Sequence, residues 1–126
     1  MYKLWLDDVR LAPPHWTWVC TCDEAIDAVK DLWLRSGQTF EVMSLDHDLT
    51  PAHYRTPATD AHYEQGSYKD TGKTGMDFVN WLEENRGYWP SRIVIHSMNP
   101  YGAMRMYQVC KEYVPSIIQP YTGLER

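Results

Sequence analysis

Acidic and histidine side chains follow apolar runs at three separate points of the chain. The transitions run from Leu6 into Asp7-Asp8, from Leu45 into Asp46-His47-Asp48, and from Ile95 into His96-Ser97. Asp and His form strands poorly, and an unpaired charge is costly to bury, so each transition marks the carboxyl end of a buried strand. Because ligands bind at the carboxyl ends of strands in α/β sheets, we expect the three ends to form one shared site.

Three carboxylates, those of Asp7, Asp8 and Asp46, are the candidate metal ligands. Converging carboxylates repel one another strongly unless shared protons or a hard cation intervene. Carboxylate oxygens suit Mg²⁺, with Mn²⁺ as a second choice, and protein-bound Mg²⁺ usually also contacts phosphate oxygens. The sequence therefore predicts a divalent cation and a phosphate-bearing ligand. The alternative is that Asp7 and Asp8 only cap a turn.

His96 and His47 are the candidate catalytic residues for proton transfer, together with Asp46. Histidine is the usual acid–base residue near neutral pH, and two histidines across a site suit a two-step proton transfer on a phosphoester. The alternative for each is a structural hydrogen bond to a neighbouring Asp. Side chains alternate along a strand, so if Asp46 and Asp48 point one way, His47 is expected to point the other.

Four further residues are candidates for contacting the substrate: Ser97, Arg10, Asn99 and Asp48. Ser97 suits a contact to a phosphate oxygen better than a role as nucleophile, and Arg10 suits a clamp on an anion or an exposed, solvated position. For Asn99 the favoured role is to cap the following helix. Asp48 is either a support for the histidines or a turn cap.

Strand and helix patterns alternate along the chain and supply the elements that must position these residues. The predicted strands lie at residues 3–7, 16–21, 40–45, 92–96 and 116–119, and the predicted helices begin near Thr21, Thr74 and Asn99. This alternation predicts a single α/β domain over residues 1–126, with a parallel sheet and helices on both faces. Pro13 and Pro14 exclude a helix between the first two strands, so a Pro-rich loop replaces the first crossover helix.

Residues 50–73 form a long polar insertion that is rich in Thr, Tyr, His, Lys and Gly. Loops of this length are usually functional lids or disordered segments. The mixture of aromatic and basic side chains suits stacking on a base and steadying a phosphate. We expect this insertion to cover the ligand and exclude water.

Charge and cysteine content exclude some classes of protein. The net charge of −5 provides no general basic field, so no extended DNA-binding surface is predicted. Three cysteines without a signal peptide indicate reduced thiols and a cytoplasmic location. No stretch has the length and apolar composition of a membrane span. Nothing in the sequence indicates an oligomeric state.

Four sequence blocks, in order, resemble a known family. They are Leu4-Trp5-Leu6-Asp7-Asp8-Val9-Arg10, Ser44-Leu45-Asp46-His47-Asp48-Leu49, Thr74-Gly75-Met76-Asp77-Phe78-Val79 and Ile95-His96-Ser97. The chain resembles the cyclic-phosphate processing receiver domains of bacteria and phages, which are related to response-regulator receivers. In receivers, an acidic pair follows strand one, a phospho-accepting Asp follows strand three, and Thr or Ser follows strand four. Here the matching residues are Asp7 with Asp8, Asp46 and Ser97.

The resemblance implies a flavodoxin-like, receiver-like parallel sheet of five strands in the order 2-1-3-4-5. It also implies a metal-assisted phosphoesterase that opens a cyclic phosphate, with an RNA end or a cyclic nucleotide as its partner. Two alternatives stay open: a non-catalytic module that binds a nucleotide or phosphate, and a phospho-accepting signalling receiver. Receivers carry Lys-Pro after strand five where this chain has Gln119-Pro120, and the missing Lys argues against signalling.

Overall fold

A five-stranded parallel sheet in the order β2-β1-β3-β4-β5 forms the centre of the computed structural model, which describes residues 1–49 and 72–119. The strands are β1 (Lys3–Leu6), β2 (Thr17–Val19), β3 (Val42–Leu45), β4 (Arg92–Ile95) and β5 (Ser116–Ile118). All four neighbouring pairs are parallel. The predicted receiver-like α/β fold and strand order 2-1-3-4-5 are therefore confirmed.

Local capping signals set the beginnings of the helices. The helices are α1 (Cys22–Ser36), α2 (Gly75–Glu84) and α3 (Pro100–Cys110), and a short 3₁₀ helix covers Arg86–Tyr88. Thr21, Thr74 and Asn99 each accept a hydrogen bond from a backbone amide of the first helical turn, which satisfies a donor that the helix itself leaves free. Gly37, at φ 68°, ends α1 in the left-handed conformation that glycine adopts easily.

The three α-helices of the described residues pack on one face of the sheet. The crossovers from β2 to β3, β3 to β4 and β4 to β5 all step in one direction, and right-handed crossovers in one direction place their helices on one face. Consistently, α2 contacts both α1 and α3. The connection from β1 to β2 steps the opposite way and has no helix. The described connection from β1 to β2 is the predicted Pro-rich loop. The expectation of helices on both faces stays a prediction, because residues 50–71 and 120–126 lie outside the described part of the chain.

Strand register sorts the sheet side chains into two rows, one on each face. The core row, on the helix side, consists of Val19, Leu6, Leu45, Ile95 and Ile118. The open row, one residue earlier in each strand, consists of Trp18, Trp5, Ser44, Val94 and Ile117. The centre of the core row is fully buried, whereas Trp18 and Ile117 at the ends of the open row are 42% and 51% exposed. The ends of the open row are therefore more exposed than its centre, where Trp5 and Ser44 are 7% and 3% exposed.

Indole groups hold the loop between β1 and β2 in place. Trp5 Nε1 donates a hydrogen bond to the Arg10 carbonyl at 3.0 Å, and Trp18 Nε1 donates to the Asp7 carbonyl at 2.7 Å. The Trp16 ring meets the Trp5 ring edge-to-face at a centroid distance of 5.9 Å. Three tryptophans thus fix the backbone of this loop where a helix would otherwise do so.

The predicted insertion at 50–73 lies, except for its last two residues, outside the described part of the chain. Lys73 is described, and its Nζ pairs with the Asp23 carboxylate on α1 at 2.9 Å. None of the described helices combines the length and the apolar character needed to cross a membrane.

Candidate functional site

The register of three neighbouring strands brings the sequence-predicted residues together. The last residues of β1, β3 and β4 lie side by side, so the next residues, Asp7, Asp46 and His96, form one row. The hydrogen-bond ladder continues through this row. The Asp46 amide donates to the Leu6 carbonyl and the His96 amide to the Leu45 carbonyl, each at 2.9 Å. The predicted shared site at the carboxyl edge of the sheet is therefore a direct result of strand pairing.

Asp7, Asp8 and Asp46 form a compact carboxylate cluster. Each offers an oxygen atom, and these atoms all lie within 4.8 Å of one another. Asp7 and Asp46 are buried, and Asp8 is half-buried. Oxygen donors at this spacing fit a hard divalent cation such as Mg²⁺ or Mn²⁺, because such ions need charge-bearing oxygen ligands. The cluster is thus consistent with a divalent metal site.

Hydrogen bonds keep the Asp7 carboxylate ionised. Its Oδ1 accepts from the amides of Val9 and Arg10 at 2.8 and 2.9 Å, and its Oδ2 accepts from His96 Nε2 at 3.0 Å and Arg10 Nη1 at 3.1 Å. Burial by itself raises the pKa of Asp7, but the bonds from His96 and the two amides outweigh it and hold the pKa below its usual value. Asp7 is therefore a fixed negative charge at the base of the site.

Asp46 has the opposite electrostatic character. Burial raises the pKa of Asp46, and the nearby Asp7 charge raises it further. Electrostatic interactions with His96 and Arg10 and a hydrogen bond from the Ser97 hydroxyl act in the other direction and lower the pKa. Asp46 is consequently the carboxylate whose charge most needs a nearby cation.

The Arg10 guanidinium bridges the two buried carboxylates. Its Nη1 lies 3.1 Å from Asp7 Oδ2 and 3.3 Å from Asp46 Oδ2. The Arg10 side chain is only 16% exposed, so it is not a solvated surface residue. In this structure Arg10 supplies positive charge to the cluster.

His96 lies beneath the carboxylates, in a buried chain of polar groups. Its Nδ1 is 2.7 Å from Ser44 Oγ, its Nε2 is 3.0 Å from Asp7 Oδ2, and its ring stacks on Trp5 with a centroid distance of 4.1 Å. An ionised carboxylate only accepts hydrogen bonds, so His96 Nε2 donates to Asp7. Both ring nitrogens therefore have partners within the protein.

Sequence reasoning missed the contributions of Ser44 and Trp5. Both lie on the open row of the sheet, and both contact the His96 ring. The signal available for Ser44 was a hydroxyl inside an otherwise apolar strand, because a buried polar group needs a hydrogen-bonding partner. No comparable local signal distinguishes Trp5 from a core tryptophan.

His47, Asp48 and Asn99 form a second polar group on the helix side of the same strand end. His47 Nδ1 is 2.7 Å from Asp48 Oδ1, which also accepts from Asn99 Nδ2 at 3.2 Å. Asn99 caps α3, as favoured from the sequence, by accepting from the Gly102 amide at 3.0 Å. The His47 ring packs so closely on Gly102 that a Cβ at this position would overlap it. Asp48 thus forms a hydrogen bond with His47, and support for a histidine is one of the two roles considered for it.

Gly75 was not predicted to matter, yet it sets the position of α2 against the strand end. Its amide donates to the His47 carbonyl at 2.8 Å, and a Cβ on Gly75 would overlap the Asp46 carbonyl oxygen. Only glycine allows the helix to approach this backbone so closely. The sequence signal that could have identified Gly75 is its position directly after Thr74, which caps α2.

A cavity of about 260 Å³ opens beside Asp46 of the carboxylate cluster. It is lined by Val9, Arg10, Asp46, Asp48 and Met98. Arg10 and the two carboxylates provide its polar surface, while Val9 and Met98 are apolar residues exposed by 52% and 68%. His47 and His96, the two histidines predicted to be catalytic, are not among the described residues that line this cavity. The cavity therefore suits a ligand with a charged end and an apolar or aromatic part.

The sequence profile of the cyclic-phosphate processing receiver domain matches residues 2–112. No curated protein and no solved structure gives a significant match to the chain. The matched range includes every strand end of the site described above, as well as the sheet from β1 to β4 and all three α-helices. This chain belongs to the family of cyclic-phosphate processing receiver domains.

Proposed function

We propose that this domain is a metal-assisted phosphoesterase that opens a cyclic phosphate on a nucleotide or at an RNA end. The observation that supports this most directly is the cluster of Asp7, Asp8 and Asp46 next to a cavity with apolar walls. The reaction adds water to phosphorus and breaks one ester P–O bond. A monoester and a free hydroxyl result, and no redox partner is needed.

The carboxylate cluster is the proposed metal site. The Arg10 guanidinium offsets only part of the charge of Asp7 and Asp46, so a divalent cation would supply further positive charge. A cation bound there would stabilise the negative charge on the phosphoryl oxygens. Asp7 is held in one orientation by its four hydrogen bonds, and Ser97 orients Asp46. These contacts fix the orientation of the two carboxylates before the substrate arrives.

The cavity suggests a nucleotide as the substrate. We place the phosphate near Arg10 and Asp46, with Asn99 acting through Asp48, and the sugar or base between Val9 and Met98. Thioether and aliphatic side chains pack well on aromatic rings. A volume of about 260 Å³ is slightly below the range of roughly 300–1,000 Å³ that is typical of small-molecule sites, so it suits one terminal nucleotide rather than a longer segment.

The two histidines receive different roles in this proposal. His96 is a positioning residue, since its nitrogens contact Ser44 and Asp7. His47 is the better candidate for proton transfer, because Asp48 orients it through Nδ1 and itself lines the cavity. A histidine oriented by a carboxylate is the usual arrangement of a general base.

A non-catalytic module that binds a nucleotide or phosphate is the second candidate. The specific observation in its favour is that neither the His47 nor the His96 ring lines the described cavity. A binding module needs only the charged cluster and the apolar walls. It would hold the same ligand and leave it unchanged.

Incubation with adenosine 2′,3′-cyclic phosphate and Mn²⁺, followed by ³¹P NMR, distinguishes the two candidates. We expect a monoester product whose formation stops with EDTA and in Asp46→Asn. Asp31→Asn, which changes an exposed carboxylate paired with Arg35, is the matched control and should keep full activity. Tight binding without turnover would support the module instead. Covalent labelling of Asp46 by acetyl phosphate would favour the signalling alternative over both.

A further inference from the structure

All four acceptor positions of the Asp7 carboxylate are already in use. An ionised carboxylate offers about four lone-pair sites on its two oxygens. At Asp7 the backbone amides of Val9 and Arg10 occupy Oδ1, while His96 Nε2 and Arg10 Nη1 occupy Oδ2. A cation that bonds directly to Asp7 therefore competes with one of these donors.

Arg10 Nη1 is the donor whose departure leaves the backbone and the buried His96 ring in place. The two amides belong to a loop whose backbone is held by the Trp5 and Trp18 indoles. His96 is buried, stacked on Trp5 and bonded to Ser44. Only the guanidinium is carried on a long side chain, and that side chain already lines the cavity beside Asp46. Its rotation requires no change in the backbone.

We propose that Arg10 is an internal counter-ion that leaves Asp7 and Asp46 when a divalent cation binds and then clamps the phosphoryl group in the adjacent cavity. This inference rests on the proposed function for the identity of the anion. The same Nη1 atom bridges Asp7 Oδ2 and Asp46 Oδ2 at 3.1 and 3.3 Å, so the guanidinium and the cation compete for the same oxygens. Once released, a guanidinium suits a phosphate, because its planar donors match two phosphate oxygens.

The exchange couples the two ligands of the site. While Arg10 neutralises the carboxylates, it weakens cation binding and is unavailable to an anion. After the exchange, the same positive charge faces the cavity lined by Val9 and Met98. Cation and phosphate should therefore bind cooperatively, beyond any direct contact between them.

Isothermal titration calorimetry with Mn²⁺ alone tests the first half of this proposal. After removal of metal with EDTA, we expect Arg10→Met to bind Mn²⁺ roughly ten-fold more tightly than the wild type, because one charge-assisted contact no longer competes. Arg10→Lys should fall between the two, and it provides the same test if Arg10→Met does not fold. Arg35→Met, at an exposed ion pair on α1, is the matched control and should bind Mn²⁺ like the wild type.

Titration of the Mn²⁺-loaded proteins with inorganic phosphate tests the second half. We expect Arg10→Met to bind phosphate roughly ten-fold more weakly than the wild type. Equal or tighter phosphate binding would overturn the clamp.

The Mn²⁺ results also separate this inference from the proposed function. Equal Mn²⁺ affinity in wild type and Arg10→Met overturns the counter-ion role and leaves the hydrolase proposal intact. Binding by Arg10→Met alone supports the counter-ion role and overturns metal-assisted hydrolysis by the wild type. No binding by either protein overturns both.

Discussion

The two faces of the sheet differ in the chemistry of their side chains. On the helix side, the core row and the helices form a continuous apolar cluster. On the other side, the open row contains a buried hydroxyl, Ser44, between an indole and an aliphatic residue. Ser44 leads through His96 to Asp7, so this face supports the carboxylates from below.

The difference shows how one strand can serve two purposes. Leu45 and Ser44 are neighbours on β3, but alternation sends Leu45 into the core and Ser44 towards the site. The core side supplies stability through burial, whereas the open side orients polar groups through hydrogen bonds. Substitutions on the two faces should therefore change different measured quantities.

The largest effect on stability is expected from Leu45→Ala on the core row. Leu45 is fully buried, and truncation of such a leucine typically costs about 2–5 kcal/mol through lost burial and the cavity left behind. Urea unfolding should show this loss. The matched substitution on the open row is Ile117→Ala, at a position 51% exposed, which should change the free energy of unfolding by less than about 0.5 kcal/mol. Similar losses at both positions would contradict the difference in burial between Leu45 and Ile117.

Ser44→Ala should have an intermediate effect on stability and a distinct effect on the site. It removes the hydroxyl next to His96 Nδ1 and leaves a buried nitrogen without this partner, which costs about 1–3 kcal/mol. His96 then orients Asp7 less well, so Mn²⁺ affinity measured by calorimetry should also fall. Ser44→Thr, which restores a hydroxyl, should recover part of the Mn²⁺ affinity. A loss of stability with unchanged Mn²⁺ affinity would make the chain from Ser44 to Asp7 purely structural.

Asp46→Asn should change stability only slightly while abolishing Mn²⁺ binding. The folded-state pKa of Asp46 lies above its ordinary value of 3.8, because burial and Asp7 disfavour the charged form. The folded protein therefore binds the Asp46 proton more tightly than the unfolded protein does, which stabilises the fold at low pH. This stabilisation is lost as the pH rises through the folded-state pKa of Asp46. A neutral amide removes this loss, so the variant should be slightly more stable than the wild type at pH 7 in EDTA, by less than about 1 kcal/mol.

The gain in Asp46→Asn should disappear below pH 3.8, where Asp46 is protonated in both folded and unfolded wild type. Urea unfolding at pH 7 and below pH 3.8 checks this. Unfolding of the variant at pH 7 would instead identify Asp46 as a structural residue.

Local features of the sequence predicted most of the fold. Caps at Thr21, Thr74 and Asn99 and the terminator Gly37 act within a few residues of themselves, so they could be recognised without a structure. The polar ends of the apolar runs likewise predicted that Asp7, Asp46 and His96 meet. The face on which each described helix packs could not be recognised locally, because it depends on the direction of each crossover across the sheet.

Partners of the site residues were decided by the tertiary structure. Ser44 lies 52 positions from His96, and Asp7 lies 89 positions from it, so no local pattern could pair them. The bridge from Arg10 to Asp46 and the contact of His47 with Gly102 likewise join separate elements. The sequence by itself determined which residues stand at the strand ends, since hydrophobicity and capping act locally. Strand order and register decided which of those residues touch, because they bring distant segments within hydrogen-bonding distance.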